Sequence, residues 1–454
     1  MKKIFNDAQY LVNTLETTHP DLFFRCSRRQ YAAGREKFLA KASVAESFAD
    51  FSCMAGEFLH CIHDGHTSLQ LTPDFSGKRL PVDTVLVENR LFIKKALVPL
   101  PGICDKAEIL SIDGLPAFRY LKQTISLMSY ELKERALQNA AAFFPYAWAH
   151  LNSHLPSVLV ARAQDRRPVQ LRLVWKKHGF PQPYGREPAF GLKYLENIRS
   201  GYLDWRQFID LRSYDFCCKH GFMRENKSER SRFADWEAFL RGMFDELSDR
   251  GAKSLIIDLR HNTGGNSALG GNLIAYLTEK TIKKFSGYTR LSPLLVKSYG
   301  EIYGKLLRKF PMGSKVTWEQ EEAVLGADTI AEKFALKKPP AGKFRGQVVL
   351  LTGPATYSAA EIFAALIKDN SLGILMGEAT GNGGNGPIDS LNFTLPASKL
   401  IVRVSFSFRL RPAVGERSSK KLEPHIYKKQ TVNDFLLGKD TVLEYAVESC
   451  KKMI

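Results

Sequence analysis

The chain has 454 residues, 44% hydrophobic and 25% charged, an ordinary balance for a folded globular protein that excludes general disorder. Its 65 Lys and Arg against 47 Asp and Glu leave a charge of +18, which raises nucleic acid or an anionic surface as a partner. The basic residues come as dispersed pairs such as Arg28-Arg29, Lys176-Lys177 and Lys420-Lys421, with no long basic run and no nucleic-acid module signature, so a solvated surface and no specific nucleic-acid partner are expected.

The start, Met1-Lys2-Lys3, is positive in the manner of an export signal, but Asp7, Gln9 and Glu16 interrupt any apolar core. A cytoplasmic protein is expected as the chain stands, or an exported one if a signal has been removed. No later stretch reaches the roughly 18 to 20 apolar residues of a membrane span. Seven scattered cysteines without Cys-x-x-Cys spacing point to a reducing compartment, not a disulfide framework or zinc ribbon.

Residues 1–78 read as a helical domain, with apolar spacing of three and four over Ala8–Leu15, Arg28–Ala42 and Ser47–Leu59. It ends in His60-Cys61-Ile62-His63-Asp64-Gly65-His66-Thr67. Histidines at 60, 63 and 66 invite a metal reading, but that spacing drifts around a helix and Gly65 breaks it, so no metal site is expected. A surface turn and a catalytic His66 both stay open on the residues alone, with Asp64 as a turn-former beside Gly65.

Residues 79–198 read as a β-rich middle segment. Strands are predicted at Thr84–Val87, Leu91–Lys95, Ala107–Ile112, Ser157–Ala163 and Val169–Val174, with an Asp113-Gly114 turn and helices over Ala117–Leu127 and Ser129–Phe143. The Pro- and Gly-rich Lys176–Gly191 is expected to be a linker or surface loop.

From 199 to 454 the pattern is α/β. Helix Trp236–Leu247, buried strand Ser254–Leu259, glycine turn Arg260–Gly265 and helix Ala268–Leu277 form a strand-turn-helix unit of the parallel-sheet kind. Asp258 is expected to support that turn. Lysine-rich residues 280–343 read as a helical or irregular cap. Then come strand Val348–Leu351, the turn Gly353–Tyr357, Ser358 and an amphipathic helix. Strand Gly373–Met376, the glycine loop Gly377–Gly386 and a hairpin whose second strand alternates through Val402, Val404, Phe406 and Phe408 follow. Ser358 and Glu361 spell a capping box, yet a serine at a helix start is also where attack would benefit from free N–H groups. Neither glycine turn matches a phosphate-binding fingerprint, and both can aim backbone N–H groups at an oxyanion.

Leu255–Gly265, Gly353–Ala364 and Met376–Thr380, in that order and spacing, resemble the core of the tail-specific (C-terminal-processing) serine peptidases and their tricorn-core relatives. The resemblance covers about residues 235 to 440 and implies a ClpP/crotonase-like β-α core, with a PDZ-like or reduced PDZ portion in the middle segment, where Ala107–Tyr120 is similar to the end of such a domain. It implies that Ser358 is the nucleophile, with oxyanion donors at Ala359 and at Gly264 or Gly265. The bacterial processing enzymes of the family place a lysine base in a Thr-x-Gly-Lys-Gly loop. Here the loop reads Thr380-Gly381-Asn382-Gly383-Gly384, so Gly383 stands at the lysine position and a lysine dyad is excluded there.

The tricorn-core branch uses an upstream histidine, and His66 is its match. An imidazole titrating near pH 6.5 can take the serine proton and return it to the leaving amine. Glu416 is the nearest match to the family's orienting glutamate, with Glu423 as the fallback. The implied function is a serine peptidase acting on a peptide or protein through an acyl-enzyme, with no metal or organic cofactor. The alternative is a non-catalytic module on the same fold that binds peptides or apolar ligands, with Ser358 only a cap. An acyl-CoA enzyme of the crotonase type would need an adenine-binding loop that the sequence does not display.

Overall fold

The computed structural model describes residues 2–70, 80–152, 157–163, 167–173, 187–415 and 418–452, without the side chains of 70 and 146–152. The loop expected at Lys176–Gly191 falls outside the described residues as far as residue 186. The chain divides into two compact units, one of Met1–Pro181, Asp389–Ser405 and Gln430–Asp440, the other of Gln182–Ile388, Phe406–Lys429 and Thr441–Ile454. Among the described residues no helix is long and apolar enough to cross a membrane.

In the first unit, helix Lys2–Thr18 buries Ile4, Ala8, Leu11, Val12 and Leu15, the spacing that makes one apolar stripe. Asp7 interrupts that stripe yet is buried, because its carboxylate accepts from the Ala397 and Ser398 N–H groups at 2.9 and 2.7 Å. Helices Arg28–Ser43 and Phe48–His60 follow. The first of them opens on a Ser27/Gln30 capping box, and Phe38 stacks on Phe58 with ring centroids 4.9 Å apart. The histidine loop after Phe48–His60 leads into the short strand Ser68–Gln70, which pairs antiparallel with Ile401–Arg403.

The same unit holds an antiparallel sheet in the order Val82–Val87, Arg90–Ala96, Glu108–Ile112, Val158–Arg162, Val169–Arg172. Glu88 and Asn89, both at positive φ, make the two-residue turn between its first two strands. Helices Ala117–Ile125 and Lys133–Asn152 cover it and bury Tyr120, Leu121, Ala140 and Phe144 against Ile93, Ile109 and Leu159.

The second unit is built on a six-stranded sheet in the order Ile426–Tyr427, Ile374–Gly377, Gln347–Thr352, Ser254–Asp258, Ser200–Trp205, Phe190–Leu195. All neighbours are parallel except the last pair. Both faces are covered, as a parallel sheet requires. Leu255, Ile257 and Leu350 pack with Trp205, Trp236 and Phe363, while Ile256, Val349, Leu351 and Met376 pack with Val442, Ala446 and Cys450.

Residues 280–343 contain helices Pro293–Tyr303 and Trp318–Leu325 and also two strands that were not expected there. Ser286–Arg290 pairs with Lys315–Thr317 on one edge and with Ser407–Leu410 on the other. The pairing depends on Gly287, where an added Cβ would lie 2.3 Å from the Phe408 carbonyl oxygen and 2.7 Å from the Trp318 ring. A short run containing glycine carries little strand signal, which is why the pattern missed it.

Candidate active site

Three neighbouring parallel strands, Ser254–Asp258, Gln347–Thr352 and Ile374–Gly377, send their C-terminal loops to the same end of the sheet. That end is where open α/β sheets place their ligands. Segments far apart in sequence are thereby stitched together. The Leu259 N–H donates to the Leu351 carbonyl at 3.0 Å, the Tyr357 N–H to the Asn262 carbonyl at 3.0 Å, and the Thr356 hydroxyl to the Leu259 carbonyl at 2.7 Å.

Ser358 sits at the head of helix Ala359–Asp369 with φ +55° and ψ −122°. A non-glycine residue there is strained, by on the order of 1–3 kcal/mol, and persists only where the surroundings enforce it. Its side chain makes no capping hydrogen bond, and Glu361 is engaged elsewhere, so the capping box spelled by these two residues does not form. The positive φ turns the chain away from the geometry in which a serine Oγ reaches the N–H groups of its own helix.

Gly264 lies directly against this turn. A Cβ built on it would meet Ser358 Cβ at 2.8 Å, the Tyr357 carbonyl oxygen at 2.8 Å and the Ala359 nitrogen at 3.0 Å. Gly264 and Gly265 both have positive φ, 101° and 136°, so glycine is required for conformation as well as for room. Asn262, fully buried, sets the turn. Its Nδ2 donates to the Trp205 carbonyl at 2.7 Å and its Oδ1 accepts the Gly264 N–H at 2.8 Å. Of the two expected glycine donors, the Gly264 amide is therefore already engaged. Ala359 heads the helix, where the first N–H groups lack intrahelical partners. Asp258 supports the start of this turn, accepting from the Arg260 N–H at 3.0 Å and from the Tyr202 hydroxyl at 2.9 Å.

The loop after the third strand replaces the absent lysine with a buried polar brace. The Ser358 N–H donates to Asn382 Oδ1 at 2.7 Å, and the Asn382 N–H and Thr380 hydroxyl donate to Glu361 Oε2 at 2.9 and 3.0 Å. Arg409 Nη2 donates to Glu361 Oε1 at 2.8 Å, with both side chains 2% exposed. Burial pushes the Glu361 carboxyl above its ordinary value, and the Arg409 charge opposes that. Gly383 is buried within this loop. Asn382 and Arg409 were not singled out from sequence, and Glu361 was read only as the partner of a capping box. An Asn among glycines and an Arg in an alternating strand look like loop and solvent face until the partners are known.

His66 lies in the first unit, 4% exposed. Asp64 builds its surroundings. Asp64 Oδ1 accepts the His66 N–H at 2.9 Å, the turn expected of it, and Oδ2 accepts from Ser405 Oγ at 2.6 Å and His19 Nε2 at 3.1 Å. The Asp64 N–H donates to Ser129 Oγ at 2.9 Å. Burial alone would raise the Asp64 carboxyl, but the His19 hydrogen bond and the charges of His19 and His66 outweigh it and hold the group well below the carboxylate range. His66 Nδ1 is 3.8 Å from Asp64 Oδ1 and 4.0 Å from Glu131 Oε1. The Glu131 carboxyl is pushed up to about 7 by burial and then by the Asp64 charge. His19, Glu131 and Ser405 were invisible in sequence, being single residues on three distant segments.

The three histidines considered for a metal are not gathered. His60 Nδ1 meets the Met128 carbonyl oxygen at 2.7 Å and its ring is edge-on to His63 at 5.5 Å, while His66 turns to Asp64 and Glu131. Those last three place ligand atoms within 4.8 Å of one another, a donor set of types that suit zinc. Both Asp64 oxygens are already taken by protein donors, so the cluster fits a hydrogen-bonded frame better than a coordination sphere.

The expected set is thus divided between the units. Ser358, Ala359, Gly264 and Gly265 come together in the second, and His66 belongs to the first. Glu416 lies outside the described residues. Glu423 is exposed, its carboxylate 3.3 Å from Lys421 Nζ, an environment unlike that of a group orienting a buried ring.

Residues 220–427 match Peptidase family S41, a stretch that includes the Ser358 turn and its glycines. No curated protein matches the chain. Among solved structures, mature CPAF is similar with a TM-score of 0.71 at 16% identity, covering 99% of this chain and 96% of that one. Mature CPAF complexed with lactacystin gives 0.70 at 16% identity, covering 100% and 98%. Likeness at that identity is one of fold, and it extends over the whole chain. The chain is a serine-type peptidase, and the segment that builds the Ser358 turn lies within the stretch similar to Peptidase family S41.

Proposed function

We propose that Ser358 is the nucleophile of this peptidase and His66 its general base. Ser358 Oγ attacks the scissile carbonyl while the imidazole takes the hydroxyl proton. The tetrahedral oxyanion is held by the Ala359 N–H and by the glycine turn, with Gly265 the better donor because the Gly264 amide is bound to Asn262. Collapse passes the proton to the leaving amine and leaves an acyl-enzyme, which water, activated by the same imidazole, then hydrolyses. Glu416 is the downstream acid that sequence resemblance offers for orienting the ring.

The observation that carries this reading is Ser358 at φ +55° against Gly264, without a capping hydrogen bond. A helix cap has no use for that strain, whereas a nucleophile presented on a sharp strand-to-helix turn does. The test is hydrolysis of a fluorogenic peptide and labelling by a fluorophosphonate. Ser358→Ala is expected to lose both and His66→Ala to lose turnover. Hydrolysis unchanged in Ser358→Ala would sink the assignment, and peptide binding without labelling of the unaltered protein would favour a binding module.

A further inference from the structure

Two carboxylates face one imidazole nitrogen in the first unit, and both are already hydrogen-bonded, Glu131 by the backbone N–H groups of Glu131 and Gly65 and Asp64 more heavily. Asp64 is saturated. Its oxygens already hold the His66 N–H, His19 Nε2 and Ser405 Oγ, and moving it toward Nδ1 would break three hydrogen bonds. Glu131 Oε1 lies 4.0 Å from His66 Nδ1, with its side chain 2% exposed. About 1 Å of closure would bring it to hydrogen-bonding distance, and such bonds are often long before substrate arrives.

We propose that Glu131 is the positioning residue for His66, holding the ring through Nδ1 and balancing its charge when the ring takes the Ser358 proton, with Asp64 as the fixed frame. This inference rests on the reading of His66 as the general base. Its physical basis is a charge imbalance. Burial and the neighbouring Asp64 charge disfavour ionised Glu131, and the Arg25 charge and backbone N–H groups of Glu131 and Gly65 offset them only in part. A protonated imidazole in contact supplies the missing positive charge, so the Glu131 carboxylate is better accommodated once proton transfer has begun than before it. An interaction that strengthens along the reaction accelerates it, whereas one of constant strength does not. Glu131 does not touch substrate and acts only through His66.

The test compares kcat, KM and their pH profiles for the full chain and for Glu131→Gln, Glu131→Asp, Glu416→Gln and His66→Ala on one fluorogenic peptide. Glu131→Gln is expected to lower kcat by about 100- to 1,000-fold with KM within about twofold, in line with removal of a ring-orienting carboxylate. The acid limb of its kcat profile is expected to move to lower pH, because the protonated ring loses a neighbouring negative charge. Glu131→Asp should restore part of kcat, and Glu416→Gln should cost less than Glu131→Gln. Circular dichroism and a melting curve establish that Glu131→Gln is folded, and if it is not, Glu131→Asp carries the pH-limb comparison.

A Glu131→Gln enzyme within about threefold of the original and with an unmoved acid limb would overturn the proposal. So would a larger loss in Glu416→Gln than in Glu131→Gln. Activity that EDTA abolishes and zinc restores would make Glu131 a metal ligand and overturn it as well. An active His66→Ala would instead remove the reading beneath it, whereas an inactive His66→Ala beside a normal Glu131→Gln would remove this inference alone.

Discussion

The Ser358 turn and the His66 pocket are assembled by opposite means. The first is a backbone construction. Positive φ at Ser358, Gly264 and Gly265 and the approach of Gly264 to Ser358 Cβ set where the serine and the backbone amides beside it lie. The second is a side-chain construction, in which His19, Asp64, His66, Glu131 and Ser405 converge from four separate stretches and every one of them is buried at the side chain. The carboxylate beneath each site repeats the contrast. Glu361 has a buried arginine to answer its charge, while Asp64 and Glu131 share one imidazole ring and its neighbours. A backbone site is rigid and tolerates no added atom, whereas a side-chain site is tunable and sensitive to protons.

The largest break in that comparison is expected at Ser358, the proposed nucleophile. Ser358→Ala should cost about 10⁴-fold or more in kcat/KM while leaving the melting temperature unchanged or raised, since alanine removes the reaction and adds no strain to an already strained position. Burst and steady-state assays on the same preparation check it. Next in size is Gly264→Ala. The added methyl would lie 2.8 Å from Ser358 Cβ at a φ of +101°, so kcat is expected to fall by roughly 100-fold or more as the turn is displaced. Retained activity would show that the turn is softer than its contacts imply.

Arg409→Met tests the brace beneath the serine. Removing one partner of a buried ion pair strands Glu361 and is expected to cost about 3–5 kcal/mol in denaturant unfolding. The double variant Arg409→Met/Glu361→Leu should recover much of that loss in stability and none of the positioning of Asn382.

Smaller and of opposite sign is the effect of Glu131 on stability. Its carboxyl titrates near 7 folded against an ordinary 4.5. Between those values the folded state holds a proton that the unfolded chain has lost, so stability falls as pH rises from about 4.5 to about 7. The full effect is on the order of 3 kcal/mol. Glu131→Gln is therefore expected to be more stable than the original enzyme at pH 8 and no more stable at pH 4, read from melting curves at the two pH values. Asp64, held low, acts in the other direction. Its contribution is present above the ordinary carboxylate range and fades as pH falls through its lowered value. Least affected should be Glu423→Gln, an exposed carboxylate beside Lys421, with stability within about 0.5 kcal/mol and unchanged kcat.

This contrast also explains what could be read from the amino acids alone. Backbone sites leave a local trace. Strand Val348–Leu351, the turn through Pro354, the Ser358 helix and the Gly264-Gly265 pair were all visible, because glycine, proline and apolar period encode conformation within a few residues. The helices of residues 1–78 and the hairpin strand through Phe406 were legible for the same reason. What failed was anything set by distant partners. Ser358 and Glu361 read as a capping box because the letters fit, but Glu361 answers to Arg409. Asp64 read as a turn-former, which it is, while its second oxygen binds residues on segments near 19 and 405. Glu131, one carboxylate ahead of a helix, carries no pattern at all. The strand Ser286–Arg290 was missed because its glycine is there for a neighbouring ring.

The dependence of the His66 pocket on Ser405 has a consequence for the order in which the emerging chain can complete it. Asp64 and Ser405 are 341 positions apart, and a ribosome adding about 5–20 residues per second needs roughly 20–70 s to cover them. Throughout that interval the emerging chain displays His66 in a pocket that lacks its Ser405 hydroxyl and the strand Ile401–Arg403 that pairs beside it. The frame around His66 is therefore closed only after the Ser358 turn has itself been synthesised, and the two halves of the proposed pair are completed close together in time.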